Sequence, residues 1–136
     1  MWDVTSQQHL IKRMYNVNNL MIDLETMGKK PNAPIVSIGA VLFDPQSGEL
    51  GQEFYTAVNL ESAMEQGAVP DGDTILWWLR QSSEARSAIC VDDAMPISSA
   101  LSELSHFINR HSDNPKYLGY SGNPVVRTSR TPLNGK

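Results

Sequence analysis

NLMIDLETMGKKPNAPIVSIGAVLFD, residues Asn19 to Asp44, decides how this chain folds. NLMIDLE (Asn19–Glu25) is a short apolar run that ends in carboxylates, the pattern of a buried strand. TMGKKPNAP is a loop rich in glycine, proline and asparagine. IVSIGAVLFD (Ile35–Asp44) is apolar and β-branched without a helical period, so it reads as a second strand. After the turn PQSGELG, QEFYTAVN (Gln52–Asn59) alternates roughly and supplies a third. Short turns favour antiparallel neighbours, and the expectation is a three-strand meander.

Outward from this core the pattern turns helical. TILWWLRQS has helical spacing, with Asp73 placed as N-cap. SSEARSAICV reads as a second short helix capped by Ser82 or Ser83, with Glu84 to Arg86 exposed. ISSALSELSHFINRH (Ile97–His111) is the clearest helix, with Ile97, Leu101, Leu104 and Ile108 in one apolar stripe. Tyr117-Leu118 could open a fourth strand. Residues 119–136 carry proline and glycine or asparagine turn signals and read as an irregular tail. Residues 1–18 are polar and read as a poorly ordered leader.

The 136 residues suit one domain, and 40% hydrophobic with 19% charged residues is the balance of a soluble globular protein. A net charge of −4 argues against binding nucleic acid through a broad basic face. It allows an enzyme that grips a nucleic acid end through bound cations. Cys90 is the one cysteine, so an intrachain disulfide is excluded, and its apolar neighbours suggest a buried core thiol. No apolar run approaches the roughly 20 residues of a membrane span, and the N-terminus lacks a signal-type apolar core. The expected location is cytoplasmic, with no membrane partner.

Asp23 and Glu25 carry the chemistry. Two residues apart on a strand, they share a face with Cα atoms about 6.5–7 Å apart. Such a pair can hold a hard divalent cation, Mg²⁺ or Mn²⁺. Buried without a counter-charge it would repel itself. Taken alone, Asp-x-Glu is a weak signal, and a solvated strand end is the commoner reading of it.

The surrounding motifs add weight. MIDLET, the Gly/Pro loop, IVSIGAVLFD, a third strand and a helix with TILWWLRQ together closely resemble the opening of DEDD-type 3′–5′ exonuclease domains. These have an α/β, ribonuclease H-like fold. The nearest resemblance is to the phage and prophage type, exodeoxyribonuclease VIII-like or 3′–5′ exoribonuclease-like, and it spans residues 19–118. It implies hydrolysis at the 3′ end of a single-stranded nucleic acid, with four acids holding two ions about 4 Å apart. Asp23 matches the first acid and Glu25 the second. Thr26 and Met27 match the loop placed against the terminal nucleotide. A histidine or tyrosine would act as general base.

The chain departs from that family beyond the long helix. A third acid should follow on the next strand and a fourth on a later helix. Asp113 is the last acid and His111 the last histidine, while residues 114–136 hold Lys116, Arg127, Arg130 and Lys136 and no carboxylate. The expectation is a domain incomplete at its C-terminus, truncated or frame-shifted, and weakly active or inactive alone. Its first strand would be partly unpaired, an edge prone to association into a homo-oligomer. The alternative is a non-catalytic nucleic-acid-binding or regulatory remnant.

Of the other residues, Trp78 should join the core with Ile75 and Leu79, leaving Trp77 for the core or for stacking on a nucleobase. Lys29 and Lys30 suit a phosphate contact or simply an exposed loop. Asp92-Asp93 reads as a solvated loop or cap. His106 and His111 share no helix face well, so no metal site is expected there.

Overall fold

A computed structural model describes residues 19–111 and, as backbone, 126–129. The order is β1 (Asn19–Thr26), β2 (Ile35–Phe43), β3 (Leu50–Ala57), α1 (Leu60–Glu65), α2 (Gly72–Leu79), α3 (Ser83–Ile89), α4 (Ile97–His111) and β4 (Val126–Ser129). The sheet runs β3-β2-β1-β4, antiparallel except for β4, which lies parallel to β1. An α/β fold opening on an antiparallel meander and followed by helices is thus what the sequence predicted and what forms.

Pairing register sorts the side chains into two faces. Leu20 lies opposite Leu42, Ile22 opposite Ala40 and Leu24 opposite Ile38, while Ala40 pairs with Phe54. This face takes α4, which presents Ile97, Ala100, Leu104, Phe107 and Ile108 to it. Leu20, Ile38 and Leu42 are fully buried here, each contributing about 1.5–3 kcal/mol. The Phe54 and Phe107 rings meet at 5.5 Å. The α4 stripe is centred between Ala100 and Leu104, which rotates Leu101 to the rim, 46% exposed rather than buried as its spacing suggested.

Local signals fix the connections. Asp44 closes the β2–β3 turn, accepting from Gln46 N–H at 3.0 Å and from the Ser47 hydroxyl at 2.9 Å. Gly48 takes the left-handed φ of 76° that the turn needs. Helix α1 escaped sequence reading because six residues show no period. Its signal is local: Asn59 Oδ1 accepts Ser62 N–H at 2.9 Å. The Ser62 hydroxyl in turn accepts Ile97 N–H at 2.9 Å, tying α1 to the start of α4. Ser82 caps α3 as expected.

Four expectations are corrected. Asp71, not Asp73, is the α2 N-cap, and Asp73 lies in the first turn. Ile75 and Leu79 are exposed, because α2 docks through Thr74 and Trp78 instead. Cys90 is exposed, since it is the C-cap of a helix with no buried residue. The stretch read as an irregular tail contributes β4, which pairs Leu20–Asp23 of β1 with residues 126–129. The first strand is therefore flanked on both sides over that stretch. The leader and the Tyr117-Leu118 strand lie outside the described residues. Among the described residues no helix is long and apolar enough to cross a membrane.

Candidate metal centre and nucleic-acid groove

β1 delivers Asp23 and Glu25 to the sheet face opposite α4. Asp23 lies across from Gly39 and Glu25 from Ser37, and both acids are half-buried. Partial burial, and secondarily the Asp23 charge, push the Glu25 carboxyl above the ordinary glutamate range. The fold therefore holds the Glu25 carboxylate half out of water beside Asp23 at a cost. A cation between them would lower that cost, and two carboxylates are the hard oxygen donors that Mg²⁺ or Mn²⁺ takes. Among the described residues no group of three or more acids, histidines or cysteines gathers as a metal site.

The segment after β1 is held by the start of α2. Asp71 N–H donates to the Met27 carbonyl at 3.0 Å, and its carboxylate accepts Lys29 N–H at 2.7 Å. That use explains why the Asp71 side chain does not cap its own helix. The Thr26 hydroxyl donates to the Gly28 carbonyl at 2.7 Å. Trp78 Nε1 donates to the Thr26 carbonyl at 3.1 Å. The Lys29 ammonium pairs with Asp73, and this contact holds the Asp73 carboxyl below the usual aspartate range. Gly28 is required by space: a Cβ there would lie 2.9 Å from Ala33 Cβ and 3.1 Å from Asp71 Oδ2.

These contacts place the residues expected at the terminal nucleotide. Met27 is buried against Val36 and Trp78, and Thr26 is half-buried beside it. Trp77 packs against the same cluster, half-buried, its ring edge-on to Trp78 at 5.1 Å. Lys29 is engaged with Asp73, and Lys30 is exposed. His106, Asp92 and Asp93 are exposed, while the His111 ring lies 5.0 Å from that of Phe107.

Sequence reading missed what lies beside Asp23. A groove of about 470 Å³ is lined by Met21, Asp23, Gly39, Val41, Glu53 and Tyr55, among others. Alternation in QEFYTAV puts Glu53 and Tyr55 on one face, but only the strand register sets them beside Asp23.

Residues 18–125 match the Rv2179c-like 3′-5′ exoribonuclease domain family, and the chain belongs to that family of 3′–5′ exonuclease domains. It is also similar to the exodeoxyribonuclease of Enterobacteria phage T4, 28% identical over 105 residues. That match takes in 71% of this chain and 46% of the relative, so the chain spans about half the length of the curated protein it matches. A solved full-length 3′-exonuclease aligns with a TM-score of 0.49 and 15% identity, over 84% of this chain and 46% of that one.

Proposed function

We propose that this chain hydrolyses nucleic acid phosphodiesters from the 3′ end with the help of a divalent cation, Mg²⁺ or Mn²⁺, held by Asp23 and Glu25. The observation that carries the reading is the placement of these two acids on one strand face, with Glu25 held at a raised pKa. A half-buried pair of carboxylates on one strand face suits a site completed by a cation. What a bound divalent ion supplies is water activation and charge compensation at the phosphodiester.

The protein's own residues do the positioning. Asp23 and Glu25 set where a phosphate can approach the sheet. Thr26 and the Trp77 ring border the terminal nucleotide of a single strand, while Met27 lies in the buried cluster against which Trp77 packs. Asp71 and Trp78 fix the backbone of that border through their bonds to Lys29, Met27 and Thr26. Two carboxylates suit one ion, and the family's two-ion arrangement needs acids beyond those the described residues bring together. Association of copies through a sheet edge would use β3 or β4, the two outer strands among the described residues.

The test is digestion of a 5′-labelled single-stranded oligonucleotide, as DNA and as RNA, with Mn²⁺. A weak ladder of 3′-shortened products is expected, absent with Asp23→Ala and with chelator. A ladder that persists in Asp23→Ala overturns the assignment. The second reading, a binding domain without turnover, draws on the two carboxylates alone being brought together among the described residues. It predicts metal-dependent binding of the 3′ end and no ladder.

A further inference from the structure

The groove beside Asp23 has a wall that the metal acids do not explain. Across the sheet, Asp23 of β1 faces Gly39 of β2, and Gly39 faces Tyr55 of β3. Two strand spacings set Tyr55 about 10 Å from Asp23. Gly39 has no side chain to fill the interval, and a Cβ there would meet only the Asp23 carbonyl oxygen at 3.8 Å. The low floor is therefore a property of that residue, not of crowding around it. Tyr55 stands 62% exposed at the far side, and Met21, also on this face, is 36% exposed.

A tyrosine on an outer strand is common on propensity alone. Its position is what distinguishes Tyr55: it lines the same groove as Asp23, across a glycine. Glu53 lies two residues away on the same face, opposite Val41, and also lines the groove. A carboxylate there repels the phosphate backbone. It can, however, accept a hydrogen bond from an exocyclic amino group of a base. The wall thus suits a base and not the backbone that carries it.

We propose that this groove holds a nucleobase of the single-stranded substrate, stacked on Tyr55, with Glu53 accepting from its exocyclic amino group. The strand's phosphate lies at Asp23 and the base reaches across Gly39. The site selects bases that carry an amino group (adenine, cytosine, guanine) over uracil and thymine. The assignment rests on the exonuclease reading above and adds a specificity site to it.

The experiment is an anisotropy titration of the full chain with 5′-fluorescein single strands, DNA and RNA, in Ca²⁺ to limit cleavage. The bases at the 3′ end are varied between cytosine or adenine and uracil or thymine. Tyr55→Ala is expected to weaken binding roughly tenfold, the effect of losing one stacked base, and Tyr55→Phe to leave it within about twofold. Tyr55→Thr removes the ring but keeps strand propensity, which guards against a folding defect. Glu53→Gln is expected to erase the preference for amino-bearing bases, because an amide can also donate. Asp23→Ala should lose the Ca²⁺ dependence and keep the base preference. If both ring-deleting variants bind like the wild type while Asp23→Ala loses its metal dependence, the groove assignment falls and the nuclease reading stands. A wild type indifferent to base identity overturns the role of Glu53. A wild type that binds no single strand overturns both readings.

Discussion

Replacing Gly28 with alanine should loosen the loop that follows Asp23 and Glu25, because the added methyl meets two fixed neighbours. The added Cβ would sit 2.9 Å from Ala33 Cβ and 3.1 Å from Asp71 Oδ2. Carbon atoms prefer about 3.5–4.0 Å, so the overlap with Ala33 is at least about 0.6 Å. Ala33 cannot swing aside, because it is backbone-bonded to Lys30 and its Cβ has no rotamer to change. Moving Asp71 would strain the 2.7 Å bond it accepts from Lys29. Overpacking of this kind costs about 1–3 kcal/mol. Against it stands about 0.4–1 kcal/mol from the smaller conformational freedom of the unfolded alanine chain. The net loss is about 1.5 kcal/mol, roughly tenfold in the unfolding constant. Gly39→Ala gives the internal comparison, since its Cβ would make an ordinary contact at 3.8 Å. There the unfolded-state effect is left nearly alone, and stability should hold or rise by about 0.5 kcal/mol. Urea unfolding followed by tryptophan emission reads both, through midpoints at constant slope. Gly28→Ala as stable as the wild type, or Gly39→Ala equally destabilised, would refute the account of a docked loop.

Two further outcomes follow from single groups. The Thr74 hydroxyl is buried and has no hydrogen-bond partner among the described residues, so the isosteric Thr74→Val should raise stability by about 1 kcal/mol; a lower urea midpoint would show that the hydroxyl has a partner in solution. Glu25 has a raised pKa in the fold, from partial burial first and the Asp23 charge second. Its contribution to stability is complete below the ordinary glutamate pKa and is lost as pH rises through the raised value. Urea midpoints measured with chelator should therefore fall across that window in the wild type and stay flatter in Glu25→Gln, and Mg²⁺ should restore the wild type at the upper end. Parallel pH profiles for the two chains would remove Glu25 as the cause.

Local pattern along the chain is enough to read the meander, the long helix and the two paired acids. Apolar strand runs separated by glycine and proline turns leave antiparallel pairing as the cheap solution, and residues two apart on a strand must share a face. Asp23 and Glu25 were therefore legible as a pair before any tertiary contact was known. Signals carried by one or two residues fared worse. Asp71 and Asp73 are equally good caps on paper, and only the demand of Lys29 N–H for an acceptor separates their roles. Cys90 has apolar neighbours in the chain, yet α3 buries none of its residues. Leu101 fits a four-residue spacing but lies at the rim once Ala100 and Phe107 set the face of α4. The tertiary structure alone decided what stands beside Asp23. Gly39 and Tyr55 lie 16 and 32 residues away from it in the sequence, and strand register, set by which side chains can be buried under α4, brings them into one row.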